Sequence, residues 1–244
     1  MDVAMRGDRA SCLTVRLGRQ SWLLAVARGF GSIDGTPIER ALLARLRQEC
    51  ERRIRGRKFR RAVDRPREAA AAMLSVVARV NSDVHARTAS HDDYVTAAAS
   101  LTAVFAVRGY AYVLHSGTTA AYLIRNGIVT PLTDDDALHD GTAALLPRAL
   151  GTTPTLEMTV SNVRVGEDDV VVLLGRRIER EPDAARLLHY VEFAGPSEHV
   201  LLARFERADA QAEDIEPSKP SISPIAIGRI AIAALLALAL VLAR

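Results

Sequence analysis

The apolar positions of the chain fall into short runs that predict β-strands. Residues 22–27 (WLLAVA) predict a buried strand that leads into a glycine-rich turn beginning at Arg28. In 121–132, Asn126-Gly127 lies between two β-prone segments, which is typical of a hairpin. Further predicted strands cover residues 101–107, 110–114, 170–174 and 199–205.

Other segments carry the helical spacing of apolar residues. From Ile38 to Ile54 an apolar residue recurs at every fourth position, and the preceding Thr36-Pro37 with Glu39 resembles a capping box that has Pro37 at the first helical position. A second helix is predicted after Pro66, and a third over 184–191. Helices mixed with antiparallel hairpins indicate an α+β fold.

The C-terminal part of the chain changes character twice. Residues 208–224 are acidic and then rich in Pro and Ser, which predicts a linker after a globular domain of residues 1–207. Residues 225–244 (IAIGRIAIAALLALALVLAR) are almost entirely apolar and match the roughly 20 helical residues that span a bilayer, so they predict a C-terminal transmembrane anchor. Lys219 and Arg229 on the near side favour a cytoplasmic domain on a single-pass membrane protein.

Charge is unevenly spread. The chain has a net charge of +3, yet the window 45–67 holds eleven basic residues against three acidic ones, a net charge of +8. This window is either a solvated surface or a surface for anionic lipid; nucleic acid is not expected, because Phe59 is the one aromatic residue available for base stacking. The two cysteines, Cys12 and Cys50, are too few for a disulfide framework or a zinc cluster.

Several stretches, in this order, resemble the metal-dependent protein phosphatases of the PP2C (PPM) family in its bacterial form. Residues 23–32 (LLAVARGFGS) resemble the family's VADGMGG strand and turn, and 111–138 (AYVLHSGTTAAYLIRNGIVTPLTDDDAL) resemble its VAHVGDSRAYLLRDGxLxxLTxDHSL segment. Residues 146–157 (LPRALGTTPTLE) resemble LTRALGT, 170–179 (VVVLLGRRIE) resemble LLLCSDGLT, and 194–205 (AGPSEHVLLARF) are similar to the end motif GSxDNxTxxxV.

The resemblance implies a four-layer α-β-β-α sandwich, in which two antiparallel sheets are flanked by helices. It also implies acidic side chains that hold two Mg²⁺ or Mn²⁺ ions, which activate a bridging water for attack on phosphoserine or phosphothreonine. This chain departs from the family at those acidic positions. The aspartates of the family fall on Arg28 (followed by Gly29), Thr118, Arg176 (or Gly175 if the alignment slips by one) and Glu198.

An arginine in place of a metal ligand repels a divalent cation and stays protonated. We therefore expect no metal and no other cofactor, with Asp8 and Glu198 as the remaining metal candidates, and a pseudophosphatase that binds a phosphoprotein or a Ser/Thr kinase. Arg28 and Arg176 either contact a phosphate or simply neutralise local carbonyls. The alternatives are an active Mg²⁺- or Mn²⁺-dependent Ser/Thr phosphatase that uses relocated acids (Asp34, Asp134 or Glu198) and a purely structural membrane protein. His115, inside an apolar strand, is expected to be a hydrogen-bonded core residue.

Overall fold

The computed structural model describes residues 1–88, 97–134, 148–178 and 182–205, and the backbone alone of 138–139, 144–145 and 221–224. The described residues form two large antiparallel sheets, two short two-stranded ladders and four α-helices. The helices are α1 (Ile38–Ile54), α2 (Arg57–Val63), α3 (Pro66–Thr88) and α4 (Ala184–Glu192). The strands are β1 (Asp2–Gly7), β2 (Cys12–Arg16), β3 (Ser21–Phe30), β4 (Ser32–Ile33), β5 (Thr36–Pro37), β6 (Ala98–Val107), β7 (Tyr110–Ser116), β8 (Ala120–Arg125), β9 (Ile128–Pro131), β10 (Leu138–His139), β11 (Ala144–Leu145), β12 (Glu157–Arg164), β13 (Val170–Leu174), β14 (His199–Arg204) and β15 (Ser221–Pro224).

The two large sheets draw on strands from both ends of the chain. One sheet has the strand order β1-β14-β13-β8-β9, and the other has the order β15-β12-β7-β6-β3-β2. In the first sheet, β14 pairs with β1 and with β13, so that the segments before β14 and after β13 lie side by side. In the second sheet, β3 pairs with β6 in full register from Ser21 opposite Val107 to Phe30 opposite Ala98.

Three apolar clusters separate four layers. Helices α1 and α3 cover one face of the six-stranded sheet, where Leu42 and Val77 pack with Leu23 and other strand residues. The inner faces of the two sheets pack on each other through residues such as Leu24 and Leu173. Helix α4 covers the outer face of the five-stranded sheet. This is the α-β-β-α sandwich that the family resemblance implied.

Most predicted elements are confirmed, with two local corrections. The helices at 38–54, after Pro66 and at 184–191 are present, as is the hairpin at Asn126-Gly127, where both residues have a positive φ. The predicted turn at Arg28 is wrong, because pairing with β6 carries β3 through to Phe30. The capping box is also wrong, because Thr36 and Pro37 pair with β4 as strand β5, and α1 begins at Ile38 without a side-chain cap.

Several elements carried too little sequence signal to be predicted. Strands β1, β2 and β12 carry polar or partly exposed residues among their apolar ones, which hides the strand pattern. Helix α2 is short, four of its seven residues are basic, and its only fully buried residue is Val63.

The predicted linker and anchor lie mostly outside the described residues. Within 208–224 the backbone of β15 is described, and it pairs with β12 at the edge of the six-stranded sheet. The predicted anchor at 225–244 falls outside the described residues. No helix in the described ranges combines the length and the apolar character needed to cross a membrane.

Candidate functional site

The site implied by the motifs forms where the chain leaves β13 and enters β14. Arg176 follows β13, and Glu198 precedes β14. The neighbouring residues join the two segments, because the Gly175 N–H donates to the His199 carbonyl at 2.7 Å. The Arg176 guanidinium donates to the Glu198 carboxylate, with Nη2 at 3.2 Å and Nε at 3.3 Å from Oε1. On α4, the Tyr190 hydroxyl donates to Oε2 of Glu198 at 2.5 Å, and its ring lies 5.6 Å from the Arg176 guanidinium carbon.

Arg28 approaches the same carboxylate from the other sheet. It lies near the end of β3, opposite Ser100 of β6, and its side chain is exposed. The next strand residue, Gly29, is required by close packing, since a Cβ there would lie 2.4 Å from the Ile38 side chain at the start of α1. The His199 ring joins the two sheets here through a 3.0 Å contact between its Nδ1 and the Ala27 carbonyl.

Electrostatics ties Arg28, Arg176 and Glu198 together. Burial alone would raise the pKa of Glu198, but the Tyr190 hydrogen bond, Arg176 and the charge of Arg28 together hold that pKa below its usual range. Burial and the hydrogen bond to Glu198 raise the pKa of Tyr190 to about 12, so its hydroxyl keeps its proton. Glu198 is therefore an ionised carboxylate held among cations and a phenol.

Asp8 lies beside this group but has its own partners. Its backbone N–H donates to the Glu198 carbonyl at 2.8 Å. Its carboxylate accepts from the Ala10 N–H, the Ser11 hydroxyl and Arg40 of α1, at 3.0, 2.8 and 3.3 Å. Burial would raise the pKa of Asp8, but these donors lower it. We call Arg28, Arg40, Arg176, Asp8 and Glu198 the arginine–carboxylate cluster, which carries a net charge of +1.

Thr118 is placed close to the Arg28 end of β3 through Ser100. The Thr118 N–H donates to the Ser100 hydroxyl at 3.0 Å, and the two hydroxyl oxygens lie 3.3 Å apart. Gly117 has a φ of +99°, and a Cβ there would come within 2.1 Å of the Ser100 hydroxyl, so only glycine allows this contact. Thr118 offers a neutral hydroxyl and no charge.

A buried polar chain underlies this corner of the site. Nδ1 of His115 lies 2.9 Å from the Thr102 hydroxyl, which lies 2.7 Å from the Thr119 hydroxyl. All three residues are at most 1% exposed, so the expectation of a hydrogen-bonded core histidine is confirmed. This chain ties β6, β7 and the start of β8 together beneath Thr118.

The relocated acids of the alternative hypothesis lie elsewhere. The Asp34 carboxylate pairs with Arg87 of α3 at 3.0 Å, and Asp134 is exposed after β9. Among the described residues, no hydrogen bond or ion pair joins either of them to Glu198. Nor do the described ranges bring together three His, Cys, Asp or Glu side chains that could hold a metal ion.

The cluster does not suit a pair of divalent cations. Mg²⁺ and Mn²⁺ are bound by several carboxylate or carbonyl oxygens with surplus negative charge. Here the two carboxylates already accept hydrogen bonds from arginine, and arginine cannot lose its proton to make room for a cation.

Two residues of the site carried no signal in the sequence. Tyr190 and Arg40 lie on helices, at exposed or half-buried positions whose spacing indicates a solvated face. Only the folded chain brings Tyr190 to Glu198 and Arg40 to Asp8, because each contact joins a helix to a loop that enters or leaves a strand.

The architecture matches solved structures of bacterial phosphatases. PppA of Pseudomonas aeruginosa, described as a key regulatory component of T6SS, aligns with a TM-score of 0.60 at 15% identity over 84% of this chain and 96% of that chain. The PPM Ser-Thr phosphatase MsPP of Mycobacterium smegmatis, solved with cacodylate, aligns with a TM-score of 0.56 at 23% identity over 82% and 95%. The catalytic domain of PstP, solved with two manganese ions, aligns with a TM-score of 0.58 at 19% identity over 82% and 96%.

No protein-family model and no curated protein sequence matches the chain. The structural alignments nevertheless span nearly the whole length of the solved phosphatase domains, at identities that speak for the fold alone. With two packed antiparallel sheets, flanking helices and motifs in the family order, this chain has the fold of the bacterial PP2C-type serine/threonine phosphatases.

Proposed function

We propose that this protein is a membrane-anchored pseudophosphatase that binds phosphorylated serine or threonine segments and acts as a regulatory module in Ser/Thr phosphorylation signalling. The observation that carries the proposal is the Arg176–Glu198 pair with Arg28 beside it. In the resemblance to the phosphatases, all three positions belong to metal-binding aspartates. A salt-bridge cluster with a net charge of +1 now takes their place.

The charge balance favours an anion over cations. A metal-binding phosphatase site concentrates negative charge, whereas three arginines and two carboxylates leave a positive excess. Arg28 strengthens this argument, because its exposed guanidinium makes no hydrogen bond or ion pair with any described residue. A planar guanidinium offers paired N–H donors that match two oxygens of a phosphate group.

Glu198 acts in this proposal as an internal counter-ion. It holds the Arg176 side chain in place and partly neutralises the cluster when no ligand is bound. A bound phosphate would pair directly with Arg28, which has no other hydrogen-bond or ion-pair partner among the described residues. It would compete with Glu198 for hydrogen bonds from Arg176. The site therefore binds with modest affinity, which suits a reversible regulatory contact.

The proposed partner is a phosphoprotein or a Ser/Thr kinase, and the proposed location is the membrane. The description of PppA as a regulatory component supports a regulatory role for a chain of the same fold. The apolar residues 225–244 support the membrane anchor, with the domain on the cytoplasmic side.

The test measures binding and hydrolysis side by side. The full chain in detergent micelles is titrated with a fluorescent phosphothreonine peptide and its unphosphorylated form, in the presence of a chelator. We expect the phosphorylated peptide to bind more tightly, and Arg28→Gln to weaken that binding about tenfold, which corresponds to about 1.4 kcal/mol. Arg186→Gln, at an exposed arginine of α4 outside the cluster, is the matched control and is expected to change nothing.

Hydrolysis discriminates between this proposal and an active phosphatase. We expect no Mn²⁺-dependent release of phosphate from the same peptide. Mn²⁺-dependent hydrolysis that disappears in Glu198→Gln or Asp8→Asn would establish the active alternative. Equal affinity for the phosphorylated and unphosphorylated peptides would instead favour a purely structural protein.

A further inference from the structure

Helix α2 presents a group of cations that the fold itself does not use. Five basic side chains on α2 and just before it are exposed and make no hydrogen bond or ion pair with another described residue: Arg55, Arg57, Lys58, Arg60 and Arg61. By contrast, nearby Arg52 and Arg53 of α1 pair with Glu49 at 2.7 and 2.5 Å. Five adjacent unpaired cations repel one another, so an acidic partner would stabilise this surface.

One of these cations, Lys58, lines a groove between α2 and α3, and the others lie on α2 or just before it. The groove has a volume of about 810 Å³, and it is lined by charged residues such as Arg52, Lys58 and Arg67 and by apolar ones such as Phe59, Ala62 and Ala72. A lining of this mixed kind fits a short peptide with both acidic and apolar side chains. A flat bilayer surface does not enter a groove, and nucleic acid finds only Phe59 to stack on.

The chain itself contains a segment of the required chemistry. Residues 209–216 (DAQAEDIE) carry four acidic residues, no basic residue and the apolar Ile215. They lie outside the described residues, but Phe205, the last described residue before them, lies toward the C-terminal end of α2. Phe205 and Arg108 line the same small cavity, and Arg108 donates to the carbonyl of Asp64, which caps the C-terminal end of α2, at 2.9 Å.

The distances are compatible with docking within one chain. Asp209 is four residues beyond Phe205, a reach of about 14 Å when extended, and α2 is only about 10 Å long. The chain returns at Ser221, opposite Val160 of β12, in the sheet that α1 and α3 cover. Phe205 therefore lies toward the α2 end of the domain, and Ser221 lies at the edge of the helix-covered sheet.

We infer that the acidic segment 209–216 docks in the basic groove between α2 and α3 of its own chain. Its carboxylates pair with the unpaired cations of α2, and Ile215 adds apolar contact with the groove lining. This contact holds the chain that leads to residues 225–244 against the face of the domain away from α4. It is independent of phosphate binding at the arginine–carboxylate cluster.

The lysine content of the chain allows a direct test. Lys58 and Lys219 are the only lysines, and Lys58 is the one that lines the groove. Lys58 cross-links made by a zero-length carbodiimide, which joins amines to carboxylates, therefore report on the groove. The full chain in neutral detergent micelles is treated, digested and analysed by mass spectrometry. We expect Lys58 to be joined to an acidic residue of 209–216 within the same chain, with a yield that falls severalfold at high salt.

Charge reversal provides the controls. Arg57→Glu combined with Arg61→Glu keeps Lys58 and is expected to reduce the cross-link severalfold, whereas Arg186→Glu on α4 leaves it unchanged. Adding Glu213→Arg and Asp214→Arg to the α2 double variant restores opposite charges and is expected to recover linkage of Lys58 to Asp209 or Glu216. Recovery also shows that the α2 variant still folds.

Three results would overturn the inference. If Lys58 is cross-linked only to acidic residues of the domain, such as Glu68, then segment 209–216 does not occupy the groove. Linkage only between isotope-labelled and unlabelled chains would assign the groove to a second copy. No cross-link in micelles, together with binding to anionic vesicles that is abolished by Arg57→Glu combined with Arg61→Glu, would assign the surface to lipid.

Discussion

At the scale of single residues, two neighbouring carboxylates after β12 differ in what surrounds them. Asp169 is 3% exposed and accepts from Arg125 Nη2 at 2.6 Å and from the Gly166 N–H at 2.7 Å. Asp168 is exposed and pairs with Arg204 in solvent. Burial would raise the pKa of Asp169, but Arg125 and the Gly166 N–H hold it below the usual range, so the folded state favours the ionised form.

We expect Asp169→Asn to lower the free energy of unfolding at neutral pH by about 1–3 kcal/mol, because it leaves a charged partner and a buried N–H poorly satisfied. Because the pKa of Asp169 is lower in the folded state than in the unfolded state, its ionised carboxylate stabilises the folded protein at pH values above the unfolded-state pKa. That stabilisation is lost as the pH falls through the folded-state pKa, so the difference between variant and parent shrinks below about pH 4. Urea denaturation at neutral and acid pH measures both. Asp168→Asn is the control, with a change of about 0.5 kcal/mol or less; an equal loss in both variants would contradict the assignment.

The sequence shows these acids only as a polar turn before a strand. Nothing local distinguishes Asp169 from Asp168, because Arg125 lies 44 positions away in the chain. The same limit applies to Glu198, which the end motif identified by resemblance, whereas its partner Tyr190 was not identified. A family motif identifies residues at aligned positions. The partners of those residues are set by tertiary contacts, which the sequence does not show.

At the scale of elements, α3 positions the segment that resembles the family's LTRALGT stretch. Asn81 is 1% exposed on α3, accepts from the Gly151 N–H at 2.9 Å and donates to the Thr153 carbonyl at 2.9 Å. Thr88 and His85 contact the Gly151 carbonyl from the same helix. Leu150 in turn pairs with Ala99 beside the Arg28 end of β3. The apolar spacing predicts α3, but a buried asparagine among valines gives no sign of its partners.

We expect Asn81→Ala to cost about 2–3 kcal/mol of unfolding free energy, because a buried N–H and a carbonyl lose their partners together. Thermal and urea denaturation measure the loss. Ser82→Ala, next to it on the exposed side of α3, should stay near the parent, since Ser82 only donates to the carbonyl one turn earlier. A change of less than about 0.5 kcal/mol in Asn81→Ala would contradict the role of Asn81 as an anchor.

At the scale of the whole molecule, the packing of the two sheets decides stability. Central strands β3, β6, β7, β13 and β14 are strongly apolar, which is why the sequence predicts them well. The pairing of β1 with β14 joins residues at opposite ends of the described chain and has no local signal. The apolar runs thus predicted an α+β fold and the family resemblance implied the sandwich, whereas the edge strands and α2 could not be predicted.

We expect Leu173→Ala, at a completely buried position between the sheets, to cost about 2–5 kcal/mol through lost burial and the cavity it leaves. Leu188→Ala on α4 is the matched control, because Leu188 is 43% exposed and its loss should cost less than about 1 kcal/mol. Urea denaturation of both variants checks the comparison. Similar losses at the two positions would contradict the central role of the inter-sheet core.

The most direct test of the account is the affinity of Glu198→Gln for a phosphothreonine peptide, measured by fluorescence anisotropy in a chelator. Removing the carboxylate frees Arg176 and takes one negative charge from the cluster, so we predict binding about threefold to tenfold tighter than in the parent. The same substitution at exposed Glu192 of α4 should leave the affinity unchanged. Weaker binding in Glu198→Gln would contradict the account. So would binding by the parent that appears only when Mn²⁺ replaces the chelator, which would indicate a metal site instead.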